Sequence, residues 1–157
     1  MRKRIIDATP KEISPPDEEW LDIEQLAIVE ITSEDSMHTI ESALLSGRGS
    51  GWRAAEPGEQ TIRLIFDEPL RIKHIRLLFE ESEVARTQEF VLRWSADGGK
   101  SFREIVRQQW NFSPPDTIRE LEDYRVGLSG VTVLELSMVP DKSGGAAHAS
   151  VAQLRLS

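Results

Sequence analysis

The stretch Thr87–Val106, TQEFVLRWSADGGKSFREIV, decides the fold. Phe90, Leu92 and Trp94 alternate with Val91, Arg93 and Ser95, the period-two pattern of a strand with one face inward. Asp97-Gly98-Gly99 supplies residues that tolerate positive φ, so the chain reverses there. Phe102, Ile105 and Val106 begin the return strand. Such a hairpin fixes a register from which the other strands are counted outward.

Upstream, Glu24–Thr32 reads as a first strand with Ala27, Val29 and Ile31 on one face. A long connection, Ser33 to about Glu59, follows, with a short helix expected over His38–Leu45 and then the run SGRGSGW. Gln60–Asp67 is a second strand, with Ile62, Leu64 and Phe66 inward. Glu68-Pro69 reads as a turn, and Ile72–Glu80 as a third strand, with Ile75, Leu77 and Phe79 inward. Downstream of the hairpin come the proline-stiffened loop NFSPPD (Asn111–Asp116), a sixth strand Thr117–Val126, and a turn at Leu128-Ser129-Gly130. A seventh strand Val131–Met138, a glycine-rich loop Pro140–His148 and a closing strand Ala149–Leu156 complete the chain. Short strands, little helix and regular turn signals give an all-β class: an eight-stranded antiparallel sandwich. No segment repeats at a fixed period, which argues against a propeller or solenoid.

The chain of 157 residues has the size of one ordinary domain, and its 39% hydrophobic content is enough for a core. Residues 1–22 read as an N-terminal arm, because Pro15-Pro16 and the acidic DEEWLDIE run break periodicity; residues 23–157 form the domain. Trp20 is expected to dock that arm onto the domain. There is no cysteine, so disulfides and thiolate metal sites are excluded. The net charge of −8, from 27 acidic and 19 basic residues, argues against nucleic acid or an anionic membrane as partner. The basic opening MRKR has no apolar run behind it, and no stretch is long enough to span a bilayer, so a cytoplasmic location is expected.

If successive strands run antiparallel, the connections fall alternately at two ends. Asp67–Arg71, Ala96–Lys100 and Gly127–Gly130, all short, share one end. Ser33–Glu59, Glu81–Arg86, Asn111–Asp116 and Val139–His148, mostly longer, share the other. Binding surfaces on β scaffolds are built from loops gathered on a rigid end, so the long-loop end is the expected site.

The order of SGRGSGW, PGEQTIRLIF, IKHIRLLFE, EFVLRWSADGGKSF and a closing ASVAQLRL resembles the galactose-binding-like jelly roll, the discoidin or coagulation-factor type-C domain shared by many carbohydrate-binding modules. The resemblance covers roughly residues 26–157. It implies a jelly-roll sandwich with a ligand site made by loops at one end. Members often hold a structural calcium ion in the loop before the tryptophan. The equivalent stretch here, Leu45–Trp52, has no carboxylate, and Gln153 stands where a last-strand glutamate is common. No metal and no cofactor is therefore expected. Ser95–Phe102 is also similar to the Asp-box of sialidase-type propellers; a single copy reads as a turn, with Asp97 accepting from its own backbone.

No convergent catalytic set is visible. No serine sits in G-x-S-x-G, and the adjacent pairs Glu34-Asp35 and Glu80-Glu81 point apart on a strand and read as solvated charges. His74 lies mid-strand, whereas His38 and His148 fall at the long-loop end and could meet there. Trp52 and Trp94 are expected to fill the core. Trp110 and Phe112 flank a long loop, where a ring can stack on a sugar face while arginine and histidine take the hydroxyls. The expected ligand-binding set is therefore His38, Arg48, Arg86, Trp110, Phe112 and His148. The expectation is a non-catalytic module for a carbohydrate or similar polar small ligand. The alternative is a cytoplasmic protein-interaction module on the same fold.

Overall fold

The computed structural model describes residues 20–45 and 50–157. Within them the chain is an antiparallel jelly-roll β-sandwich with two single-turn helices, Ile23–Leu26 and Glu41–Leu44. The strands are β1 (Ala27–Ile31), β2 (Trp52–Arg53), β3 (Gln60–Glu80), β4 (Arg86–Ser95), β5 (Arg103–Phe112), β6 (Arg119–Val139), β7 (Ser150–Val151) and β8 (Gln153–Leu156).

Two of the expected turns are bends inside strands. β3 runs unbroken through Glu68-Pro69, and β6 runs unbroken through Gly127–Gly130. Both are 21 residues long, and they pair with each other almost throughout. The ladder slips between Ile65 and His74, where Leu70 faces Val131 and Ile72 faces Leu128. These irregularities kink both strands together, as bulges do, so each strand contributes one half to each layer. The first half of β3 and the second half of β6 join β1, β4 and β5; the second half of β3 and the first half of β6 join β8. The layers meet at Phe79 and Phe90, whose ring centroids are 5.0 Å apart.

The inward faces follow the alternation. Ile62, Leu64, Ile75, Leu77, Phe79, Phe90 and Leu92 are all buried. Trp52 is fully covered, but Trp94 is only half-buried, with the Arg103 guanidinium 5.9 Å from its ring centroid. Trp94 is the penultimate residue of β4, beside the hairpin turn.

The hairpin turn binds itself. Asp97 accepts from the Ser95 hydroxyl at 2.6 Å, and from the Ser101 amide and hydroxyl at 2.9 and 2.6 Å. Ser95 Oγ accepts from the amides of Asp97 and Gly99. The Ser101 and Ser95 hydroxyls, with the Ser101 amide, hold the Asp97 carboxyl well below its ordinary range. Gly98 N donates to Thr132 Oγ1 at 2.9 Å, joining this turn to the β6 bend. Gly98 and Gly99 have φ of +75° and +93°, which side-chain-bearing residues rarely adopt.

Most of the expected arm, residues 1–19, lies outside the described residues. Trp20 packs on the outer surface of β3 and β8, with its ring 5.1 Å from His74 and near the cations of Arg76 and Arg155. His74 is thereby buried and bonds Asp123 Oδ1 at 2.6 Å. No helix among the described residues is long and apolar enough to cross a membrane.

Candidate functional site

Three of the four long connections, Ser33–Glu59, Glu81–Arg86 and Val139–His148, line neighbouring open cavities, of which two share a wall; Asn111–Asp116 reaches neither of these two, and Ile118 and Arg119 just beyond it complete the first. The first, about 540 Å³, is walled by His38, Arg53, Glu81, Glu83, Ile118 and Arg119, among others. The second, about 320 Å³, lies between Val84, His148 and the loop from Asp141 to Ala147. Arg53, Glu81 and Glu83 belong to both. Both volumes fall within the roughly 300–1,000 Å³ usual for small-ligand sites.

Arg53 stands at the centre because of strand alternation. Its neighbour Trp52 turns inward and donates from Nε1 to Ser33 O at 3.1 Å, so Arg53 turns outward. The Arg53 backbone takes the amide of Asp35 (2.9 Å) and gives its own to His38 O (3.1 Å), which pins the 35–38 turn beside it. β2 is held from the other side by β7, with Trp52 opposite Val151 and Arg53 opposite Ser150. Neither Arg53 nor Glu83 forms a side-chain ion pair among the described residues.

Glu81 is placed from below. Arg86 Nε donates to Glu81 Oε1 at 2.8 Å, and the Glu83 and Val84 amides point at Oε2. Burial alone would raise the Glu81 carboxyl, but the bonds from Arg86 and the loop amides outweigh it and hold it below the ordinary carboxylate range. Across the second cavity, Asp141 is likewise held low, by the Ser143 hydroxyl and amide.

The six expected ligand-binding residues part company. His38 lines the first cavity and His148 the second, on either side of Arg53, so the two histidines do not share a cavity. His148 Nδ1 donates to Ala54 O at 3.0 Å, because a carbonyl only accepts, and Nε2 is the ring nitrogen not engaged in that bond. Arg48 lies outside the described residues. Arg86 and Phe112 lie under the loops, 4% and 2% exposed, with the guanidinium 4.8 Å from the ring centroid. Trp110 is half-buried against the core and lines neither cavity; β5 turns it inward opposite Gln88. The aromatic platform expected of Trp110 and Phe112 is thus absent from these walls. The exposed apolar surface comes from Ile118 and Val84, 41% and 49% exposed.

Arg53, Glu81, Glu83, Ile118 and Arg119 were not foreseen. Two signals for them were present: an outward residue next to a buried tryptophan, and the run Glu80-Glu81-Ser82-Glu83 at a long-loop connection. Glu80 and Glu81, expected to point apart, both reach the first cavity because β3 ends between them. Among the described residues no group of three His, Asp or Glu side chains is placed to hold a metal.

No protein-family model matches the sequence, and no curated protein matches it. Solved structures do match the fold. The CBM32-5 module of CpGH89 from Clostridium perfringens, in complex with GalNAc-β-1,3-galactose, superposes with a TM-score of 0.62 at 20% identity, covering 87% of this chain and 98% of that one. A pectin-binding carbohydrate-binding module gives 0.60 at 19%, covering 84% and 90%. The family 32 module of C. perfringens NanJ, in complex with galactose, gives 0.59 at 12%, covering 87% and 96%. The chain therefore shares the jelly-roll β-sandwich fold of these modules, the fold that the sequence resemblance implied.

Proposed function

We propose that this chain is a non-catalytic module that binds a carbohydrate at its long-loop end, over the walls formed by His38, Arg53, Glu83 and Arg119. The observation that carries this reading is the pairing of Arg53 and Glu83 across one concavity without an ion pair between them. A guanidinium only donates hydrogen bonds and a carboxylate only accepts. A sugar hydroxyl does both, so neighbouring hydroxyls satisfy the two groups together. Ile118 and Val84 supply the apolar surface such sites combine with a few polar groups. That solved carbohydrate-binding modules share the fold supports the reading.

A glycan array followed by calorimetric titration tests it. Saturable binding to at least one glycan, weakened in R53A and E83A, is expected. A second reading, a protein-interaction module, is favoured by Met37, Val84 and Ile118, which expose 81%, 49% and 41% of their surface in the loops of this end. Silence across the array, with one stoichiometric protein recovered by pull-down, would favour that second reading.

A further inference from the structure

We infer that the long-loop end holds two contiguous subsites and takes an extended oligosaccharide rather than a lone monosaccharide. This rests on the carbohydrate reading above. The two cavities repeat one chemical pattern on either side of a shared wall. The first offers His38 and the aliphatic Ile118; the second offers His148 and the aliphatic Val84. Arg53 and Glu83 face both. Each side therefore has an imidazole for a hydroxyl, a patch for the C–H face of a ring, and access to the same donor and acceptor. A chain crossing the wall would place one ring on each side and its linkage over Arg53 and Glu83.

The second cavity is built to leave room. Its far wall runs Gly144-Gly145-Ala146-Ala147, which has almost no side-chain bulk. Gly144 and Gly145 have φ of +89° and +92°, and a Cβ on either would meet nothing within 4 Å. His148 is oriented by its bond to Ala54 O, which leaves Nε2 on the other side of the ring. The loop is anchored at its two ends, by Lys142 N to Thr87 O at 2.8 Å and by Gly58 N to Ala147 O at 3.3 Å.

Galactose, galactobiose and galactotetraose, titrated calorimetrically into the full chain, test the inference. Galactotetraose is expected to bind about tenfold tighter than galactose, equivalent to about 1.4 kcal/mol. Ala146 is exposed, so A146W fills the second cavity without entering the core. In A146W, with folding checked by circular dichroism, galactose and galactotetraose should bind alike; H148A should lose most of the length-dependent gain. Equal affinity at every length in the wild type overturns the inference, and so does a gain that survives A146W and H148A. Absence of binding at every length overturns this inference, whereas the carbohydrate reading itself falls only with silence across the glycan array.

Discussion

Arg86 holds Glu81 at 2.8 Å from a guanidinium side chain that is completely covered. The same group donates to Pro140 O at 2.8 Å and lies over Phe112, so one cation ties together the starts of three loops. Replacing it leaves the Glu81 carboxylate with only 16% of its side chain exposed and without its charge partner. Breaking a buried pair in this way costs about 3–5 kcal/mol. R86M should lose roughly that much in urea unfolding. R86K should fall between, because an ammonium keeps the charge but not the planar fork. An R86M loss below about 1 kcal/mol, the range of exposed pairs, would mean that the clamp carries no weight.

Gly51 sets the entry into β2. Its φ is +93°, and a Cβ there would stand 2.5 Å from Val151 O and 2.6 Å from Ala152 Cα. Both partners are backbone, so no side chain can move aside. G51A should destabilise the protein by more than the roughly 1–3 kcal/mol of a strained backbone alone. It should also loosen the β2–β7 pairing, read as faster amide exchange at Arg53 and Ser150. Wild-type stability in G51A would show that this approach is not obligatory.

Between the layers lies a carboxyl that resists ionising. Glu120 is 1% exposed, and neither of its oxygens has a hydrogen-bond partner among the described residues. Burial first, then the neighbouring Glu122 carboxyl, push it up to about 8, against a smaller opposing effect of the Gln88 amide. The remaining titratable neighbour, Tyr124 on the same strand, is also raised, by burial and by Glu122 and Glu120. The folded state thus keeps a proton that the unfolded state, titrating near 4.5, gives up. Stability contributed by this proton is present in full below the unfolded value and is lost as pH rises towards 8. Glu89 has the opposite sign: Lys142, Gln109 and Arg107 bring it down to about 2, so its contribution is lost as pH falls below 4.5. Melting temperature should therefore peak near pH 5 and decline towards pH 8. E120Q should flatten the alkaline limb and leave the acid limb in place. An unchanged alkaline slope in E120Q would assign it to another group.

The strands were legible because one face of each is apolar. Ile62, Leu64 and Phe66, or Phe90 and Leu92, can be read without knowing what covers them. Continuity through Asp67–Arg71 and Gly127–Gly130 was not legible: proline and glycine with polar neighbours look the same in a turn and in a strand bend. Only their mutual pairing, Leu70 with Val131 and Ile72 with Leu128, keeps the strands unbroken, and that contact is far apart in sequence. The two ends survived this error, because a bend common to both strands leaves their outer ends where a turn would have left them.

The candidate site was less legible, and for a related reason. Arginine is rarely buried unless paired, so Arg86 read as a surface group; its burial depends on Glu81, five residues back, and on Pro140, fifty-four ahead. Phe112 is covered by that same arginine, and it lines neither cavity. At Arg53 the sequence shows only an outward residue beside a buried tryptophan, which does not say which loops surround it. Its position follows from the β2–β7 pair, which closes only when the last strands fold back.

Ligand is proposed to bind where the long loops meet. Amide and side-chain resonances of isotopically labelled protein, followed while galactotetraose is added, test it most directly. Saturable shifts are expected at His38, Arg53, Glu83, Arg119 and His148, with none in the turn from Ala96 to Lys100 at the opposite end. Shifts concentrated in that turn, or on the outer face around Trp20, would contradict it.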